Sequence, residues 1–180
     1  MMEKNDNGGV QPPTEMEIQQ LILALKNTSV NTRHEAVRGL GAIGKPAVEP
    51  LIRELKRAPD NDKRWYAAMA LSGTGAAAVE PLISAMKSNP ETEFRRYAAA
   101  ALGNIGTPAI EHIIDAMADD DRQMRGFLAA ALCRIGKPAV EPLIRRLDDA
   151  NEIIRSCATL TLWQMGETGL PAMIEKIDGE

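Results

Sequence analysis

Apolar residues recur along this chain at helical spacing, in blocks that repeat. Ile18, Leu21, Ile22 and Leu25 stand at i, i+3, i+4 and i+7, which is one face of a helix. The same spacing returns as Val48, Leu51, Ile52 and Leu55, and its central pair recurs as Leu82-Ile83, Ile113-Ile114, Leu143-Ile144 and Met173-Ile174. A second series precedes each of these later blocks. Arg33, Ala36, Val37, Leu40 and Ile43 define a helix that ends at Gly44, and its leucine recurs as Leu71, Leu102, Leu132 and Leu162. The glycines that close this series fall at 44, 75, 106, 136 and 166, a period of 31, 31, 30 and 30 residues. A fixed period of this size marks a stacked array in which each unit is one supersecondary element.

The residues between the blocks give the punctuation. Gly44 suits the position just past a helix end, where a positive φ costs glycine nothing. Pro46 restarts the chain, because its fixed φ and missing N–H fit a first helical turn. Pro50 is tolerable only if the second helix begins around Pro46 to Ala47, within reach of unpaired first-turn amides. Each unit thus reads as helix A followed by helix B. The first block has no helix A; it is a half repeat, opened by Thr14 as N-cap with Glu15 and Glu17 in the first turn. The expected fold is an all-α superhelical solenoid with one half repeat, five two-helix repeats and eleven helices. Residues 14–180 are expected to form a single domain sharing one continuous core. Residues 1–13, rich in Asn, Gly and Pro, are expected to be a disordered tail.

Further columns support the stacking. The column three residues after the helix A arginine is Ala36, Ala67, Ala98 and Ala158, with Leu128 in the fourth unit, and small residues Gly41, Ser72, Gly103 and Cys133 follow the helix A leucine, with Trp163 in the last unit. Units 2 and 5 depart most, through Thr74 and through Glu167-Thr168-Gly169, and Trp163 with Thr161 is read as the last unit's answer to having no neighbour.

Composition narrows the chemistry. Apolar residues make up 44% and aromatics only 3%, so Ala, Leu, Ile, Val and Met must build the core. The net charge of −4 excludes a general polyanion binder, which needs a basic face for phosphates. No apolar run is long enough to span a bilayer, and Met1–Pro13 lacks the apolar core of a signal peptide. Two cysteines, Cys133 and Cys157, cannot make a disulfide framework. A cytoplasmic protein is expected, contacting neither membrane nor nucleic acid and carrying no cofactor.

The Arg at the head of helix A, the Ala-rich helix, the Leu-Gly-x-Ile-Gly ending and the Pro-Ala-Val-x-Pro-Leu-Ile of helix B resemble the HEAT-like repeat of phycocyanobilin lyase subunits. The likeness covers roughly residues 15 to 177. It implies a solenoid with helix A on the convex side and helix B on the concave side, with partners seated in the concavity. It also implies an alternative function, a bilin lyase-like or chromophore-handling subunit, which is the one enzyme reading the resemblance offers.

Candidate chemistry is sparse. The column Arg33, Arg64, Arg95, Arg125 and Arg155 is read as pairing with loop carboxylates of neighbouring repeats rather than as a phosphate ladder, because arginine's planar fork fits carboxylates. His34-Glu35 resembles the metal-binding dyads of deoxyhypusine hydroxylase, but the equivalent pairs are Trp65-Tyr66, Arg96-Tyr97, Gly126-Phe127 and Ser156-Cys157, which complete no first shell. Tyr66, Tyr97 and Phe127 are read as rings packed over alanines, with base or bilin stacking as the alternative. No His or Asp pattern makes a nucleophile of either cysteine. The exposed side of helix B carries Glu49, Glu80, Glu111 and Glu141, with Asp115 four residues beyond Glu111. Glu49–Arg53 and Glu141–Arg145 are i,i+4 pairs, whereas Glu80, Glu111 and Asp115 are expected to stay unpaired. These five acids are either a solvated face or a partner-binding stripe. Together these readings point to a non-catalytic protein-interaction scaffold whose partner offers a basic segment.

Overall fold

A computed structural model describes residues 14–178, so the expected tail at residues 1–13 lies outside the described residues. Eleven α-helices fill the described span: α1 (Glu15–Ala24), α2 (Val30–Ile43), α3 (Lys45–Arg57), α4 (Asn61–Gly73), α5 (Val79–Ser88), α6 (Thr92–Ile105), α7 (Ile110–Ala116), α8 (Arg122–Ile135), α9 (Val140–Arg145), α10 (Glu152–Gln164) and α11 (Leu170–Asp178). No strand occurs among the described residues. The helix count and the order of pairs are those the periodicity predicts. Helix α1 is the half repeat; α2, α4, α6, α8 and α10 are the A helices, and α3, α5, α7, α9 and α11 the B helices.

Local chemistry sets the boundaries. Thr14 Oγ1 accepts from the Glu17 amide at 3.2 Å while Glu17 Oε2 accepts from the Thr14 amide at 2.8 Å. That reciprocal capping box satisfies two otherwise orphaned donors. Ser29, Asp60, Asp121 and Asn151 cap α2, α4, α8 and α10 in the simpler one-way manner. At the other end Gly44 takes φ 71° and ψ −133°, a basin that any Cβ would strain, and the four equivalent glycines also have positive φ. In the later units a short 3-10 turn follows this glycine, so that α5 and α9 begin only at Val79 and Val140. Pro81 and Pro142 then fall in the first turn, where no intrahelical donor is lost. Helix α3 is the exception: it runs unbroken from Lys45 with Pro50 inside it.

Packing follows the columns. The five helix A leucines and Ala36, Ala67, Ala98, Leu128 and Ala158 are all buried, in one core cluster that runs from Ile18 to Leu162. Fully burying each leucine is worth about 1.5–3 kcal/mol. The helix B pairs are buried through Ile114, but Ile144 is only half-buried and Ile174 is 54% exposed. Among the described residues no further unit packs over Ile174.

The two layers pack differently. Of the A helices, α2 and α4 approach to backbone contact: a Cβ on Gly41 or on Gly73 would stand 3.1 Å from the other's Cα. A Cβ on Gly103 would meet the Arg134 side chain at 2.7 Å. B helices meet mainly through longer side chains and ion pairs, and touch one another less extensively. The close A–A packing follows from the run of Gly and Ala along these contacts. Toward the C-terminus the A layer slackens between α8 and α10, where Cys133 and Trp163 replace the small residues. Trp163 does not close the end of the stack; it is 65% exposed.

Candidate functional site

The arginine column belongs to the scaffold, though only partly in the manner expected. Arg64 Nη2 pairs with Glu91 at 2.8 Å and Arg95 Nη2 with Asp121 at 2.7 Å, each reaching a loop one unit on. The other three cap backbone instead. Arg33, Arg125 and Arg155 each donate from Nη1 to the carbonyl six residues earlier, Asn27 O at 2.7 Å, Asp119 O at 2.6 Å and Asp149 O at 2.6 Å. A guanidinium on helix A thus satisfies carbonyls left over after the preceding B helix, which also favours a cation at its negative end.

These contacts depress several carboxyls. Asp121 titrates below its ordinary 3.8 because the Arg95 guanidinium and the Met124 amide both hydrogen-bond its anion. Asp60 is lowered chiefly by Lys63, and Asp149 by the Asn151 amide and then Arg146. A lowered folded value means these groups stabilise the fold at all pH above 3.8 and lose that contribution as pH falls through the folded value. Urea midpoints should therefore hold level from pH 7 to 5 and drop below about pH 4. In Asp121→Asn that acid drop should be smaller.

On the B face the five acids do not form the free stripe expected. Arg145 reaches Glu111 at 2.9 Å, and Arg146 reaches Glu111 at 3.1 Å, Asp115 at 2.7 Å and Asp149 at 3.0 Å. Glu111 and Asp115 are therefore neutralised from the next unit, a correction to the expectation that they stay unpaired. The i,i+4 rule looks only along one helix and misses a partner some thirty residues away. Glu141 stands 3.8 Å from Arg145 as expected, and Glu80 stands 3.7 Å from His112 Nδ1. Glu49 is exposed, and no ion pair joins it to Arg53. Around Glu80, Lys87, His112 and Asp115 the B face forms a shallow depression.

The A face is apolar and aromatic by contrast. Trp65 is 43% exposed and stacks edge-on against buried Tyr66 at 4.8 Å, with the His34 ring 5.8 Å from Tyr66 and the Arg33 guanidinium 4.7 Å over it. Arg96 lies 4.7 Å over the half-buried Tyr97 ring and pairs with Glu93. Val30, Trp65, Leu160 and Trp163 are large apolar side chains exposed on A helices. Among the described residues the B helices α3, α5, α7 and α9 expose none, whereas the outermost helices of that layer, α1 and α11, expose Met16, Leu23 and Ile174. Between α8 and α10 the slackened layer leaves a cleft of about 450 Å³, lined in part by Met117, Arg122, Gly126, Ala129, Cys157 and Leu160.

The family profile for HEAT repeats matches residues 18–78 and 48–125, more than half the chain. This chain belongs to the HEAT-repeat family. Its fold likeness to solved structures runs nearly end to end. An engineered protein shares 22% identity, with 90% of this chain and 85% of that one covered at a TM-score of 0.37. A computationally designed armadillo repeat protein for modular peptide recognition shares 21%, with 91% and 93% covered at 0.33. A designed armadillo repeat protein in complex with the peptide (KR)4 shares 19%, with 91% of each chain covered at 0.36. No curated protein matches the sequence.

Other sequence candidates of this HEAT-repeat protein take up packing positions. His34 faces Trp65 and Tyr66, and among the described residues no group of three His, Cys, Asp or Glu side chains is placed to hold a metal ion. Burial pushes the Cys133 and Cys157 thiols up, against a smaller lowering of Cys157 by Arg125. No described helix is long and apolar enough to cross a membrane. Sequence reasoning missed Trp65, although a tryptophan one place after the column arginine was the available signal. It missed the α8–α10 cleft for a plainer reason: the distance between two units is not written in either one.

Proposed function

We propose that this HEAT-repeat protein is a non-catalytic scaffold that holds a partner protein against the exposed face of its A helices. One observation carries this reading: large apolar side chains are exposed on α2, α4 and α10 and absent from the surface of α3, α5, α7 and α9. Exposed tryptophan with neighbouring arginine is the composition of interface centres. Trp65 sits with Arg33, Tyr66 and His34, a set able to cover an apolar anchor and still offer hydrogen bonds. Glycine and alanine on the A–A seam keep α2, α4, α6 and α8 closely packed along this face.

A second reading is favoured by the outward reach of Glu49, Glu80 and Glu141 on the B face. Glu80 and Glu141 leave roughly four-fifths of their side chains in solvent. A basic segment of a partner protein would meet these acids, with Glu111 and Asp115 contributing only if Arg145 and Arg146 swing away. The chromophore-handling alternative rests on the resemblance alone.

Photo-crosslinking separates the two faces. A photoreactive residue at Trp65 should trap a defined protein in cells, and the same residue at Glu80 should trap none. Trapping from Glu80 that disappears at high salt would favour the basic-segment reading, since surface charge is screened within about 10 Å at 0.1 M salt. Trapping from neither position would overturn both.

A further inference from the structure

We propose that the cleft between α8 and α10 binds a linear apolar carboxylate of the medium-chain fatty-acid class. Its chain would lie along α10 and its carboxylate at Arg122 and Arg125. The inference goes beyond the scaffold reading and stands without it.

Shape comes first. The cleft of about 450 Å³ lies within the range of small-molecule sites, about 300–1,000 Å³. Its α10 wall is lined by Glu152, Ser156, Leu160 and Gln164, spaced four residues apart along one helix face. At 1.5 Å per residue that wall is about 18 Å long, which suits an extended molecule rather than a compact one. Met117, Ala129, Ile153 and Leu160 make the lining predominantly apolar.

Gly126 is the second, independent observation. The equivalent positions carry His34, Trp65, Arg96 and Ser156. Gly126 lies within α8, is not among the positive-φ glycines, and a Cβ built on it would meet nothing within 4 Å. Neither backbone conformation nor packing asks for glycine, which is the poorest helix former after proline. What its missing side chain does is leave the α8 wall of the cleft open.

Charge chooses the head group. Arg122 stands exposed on the first turn of α8 and enters no ion pair among the described residues, and it shares its helix face with Arg125 three residues on. Arg125 gives Nη1 to Asp119 O and keeps further N–H donors for a ligand. Glu152 on the facing wall pairs with neither arginine, so two guanidinium groups outnumber one carboxylate at that end of the cleft. A guanidinium fork matches a carboxylate in two parallel hydrogen bonds.

Cys157 lines the cleft and reports on it. In a Cys133→Ala background it is the one remaining cysteine, and its alkylation by iodoacetamide can be followed with decanoate or decyltrimethylammonium present. Decanoate should slow alkylation severalfold and move the backbone amide NMR signals of α8 and α10, while the cationic amphiphile should do neither. Arg122→Glu, a surface change, should weaken decanoate about tenfold, the scale of a lost charge-assisted contact. Gly126→Leu, which fills the opening, should abolish the amide shifts while leaving the helical circular dichroism unchanged. Equal binding of both amphiphiles would overturn the carboxylate assignment, and the absence of protection at millimolar decanoate would overturn the site. Protection by an acidic leucine-bearing peptide but not by decanoate would overturn the small-molecule assignment and give the cleft to a protein partner.

Discussion

Replacing Arg95 by Ala should destabilise the protein by roughly 3 kcal/mol or more. The side chain is 2% exposed, the most deeply buried charge among the described residues. Its Nε donates to Met86 O and Asn89 O, both at 3.0 Å, its Nη1 to Gln123 Oε1 at 3.2 Å, and its Nη2 meets Asp121 at 2.7 Å. It thereby ties the end of α5, the following turn, and the next unit to α6. Alanine would leave two carbonyls without this donor, leave Asp121 without its cation, and open a cavity beside Phe94. Lysine would keep the charge but not the fork, so Arg95→Lys should recover only part of the loss. Arg64 makes a single carboxylate contact to a half-exposed partner, and Arg64→Ala should cost much less. Urea melts of the three variants would test this, and an Arg95→Ala loss below about 1 kcal/mol would show that the buried guanidinium contributes little net stability.

Leu102→Ala, at the centre of the stack, should cost about 2–5 kcal/mol. Leu102 is fully buried in α6, with A helices packed on both sides, so the surrounding atoms have little freedom to close the void. Leu162 is equally buried, but among the described residues α10 has an A helix on one side only, and Met165 and Met173 are only half-buried. That end can relax or admit water, so Leu162→Ala should cost less. Equal losses in urea would contradict a picture in which each unit is held by its neighbours.

Much of the architecture could be read from spacing alone. The five glycines, the leucine and alanine columns and the Thr14 N-cap are local statements, and each reappears as a positive φ, a buried column or a cap. What failed was long-range. The arginines at Arg33, Arg125 and Arg155 were assigned carboxylates because acids fill the loops, yet backbone carbonyls six residues back lie closer. Glu111 and Asp115 were read as unpaired because their own helix has no base, while Arg145 and Arg146 stand one unit away. How closely Gly41 approaches Gly73 is equally a property of two units together. The sequence names both glycines but cannot show that they touch.

The contrast between the two layers has a mechanical consequence. From α2 to α8 the A layer is held mainly by close packing of buried Leu, Ala and Gly, with Gly41 and Gly73 at backbone contact, and ionic strength barely alters burial. The B layer is laced by charge, through Lys26–Glu54, Lys87–Asp119, Lys176–Asp148 and the cluster around Arg146. Such a body bends like a leaf spring with a stiff spine and an adjustable tie. Raising salt should loosen the tie and leave the spine intact, making the stack more compliant without unfolding any unit.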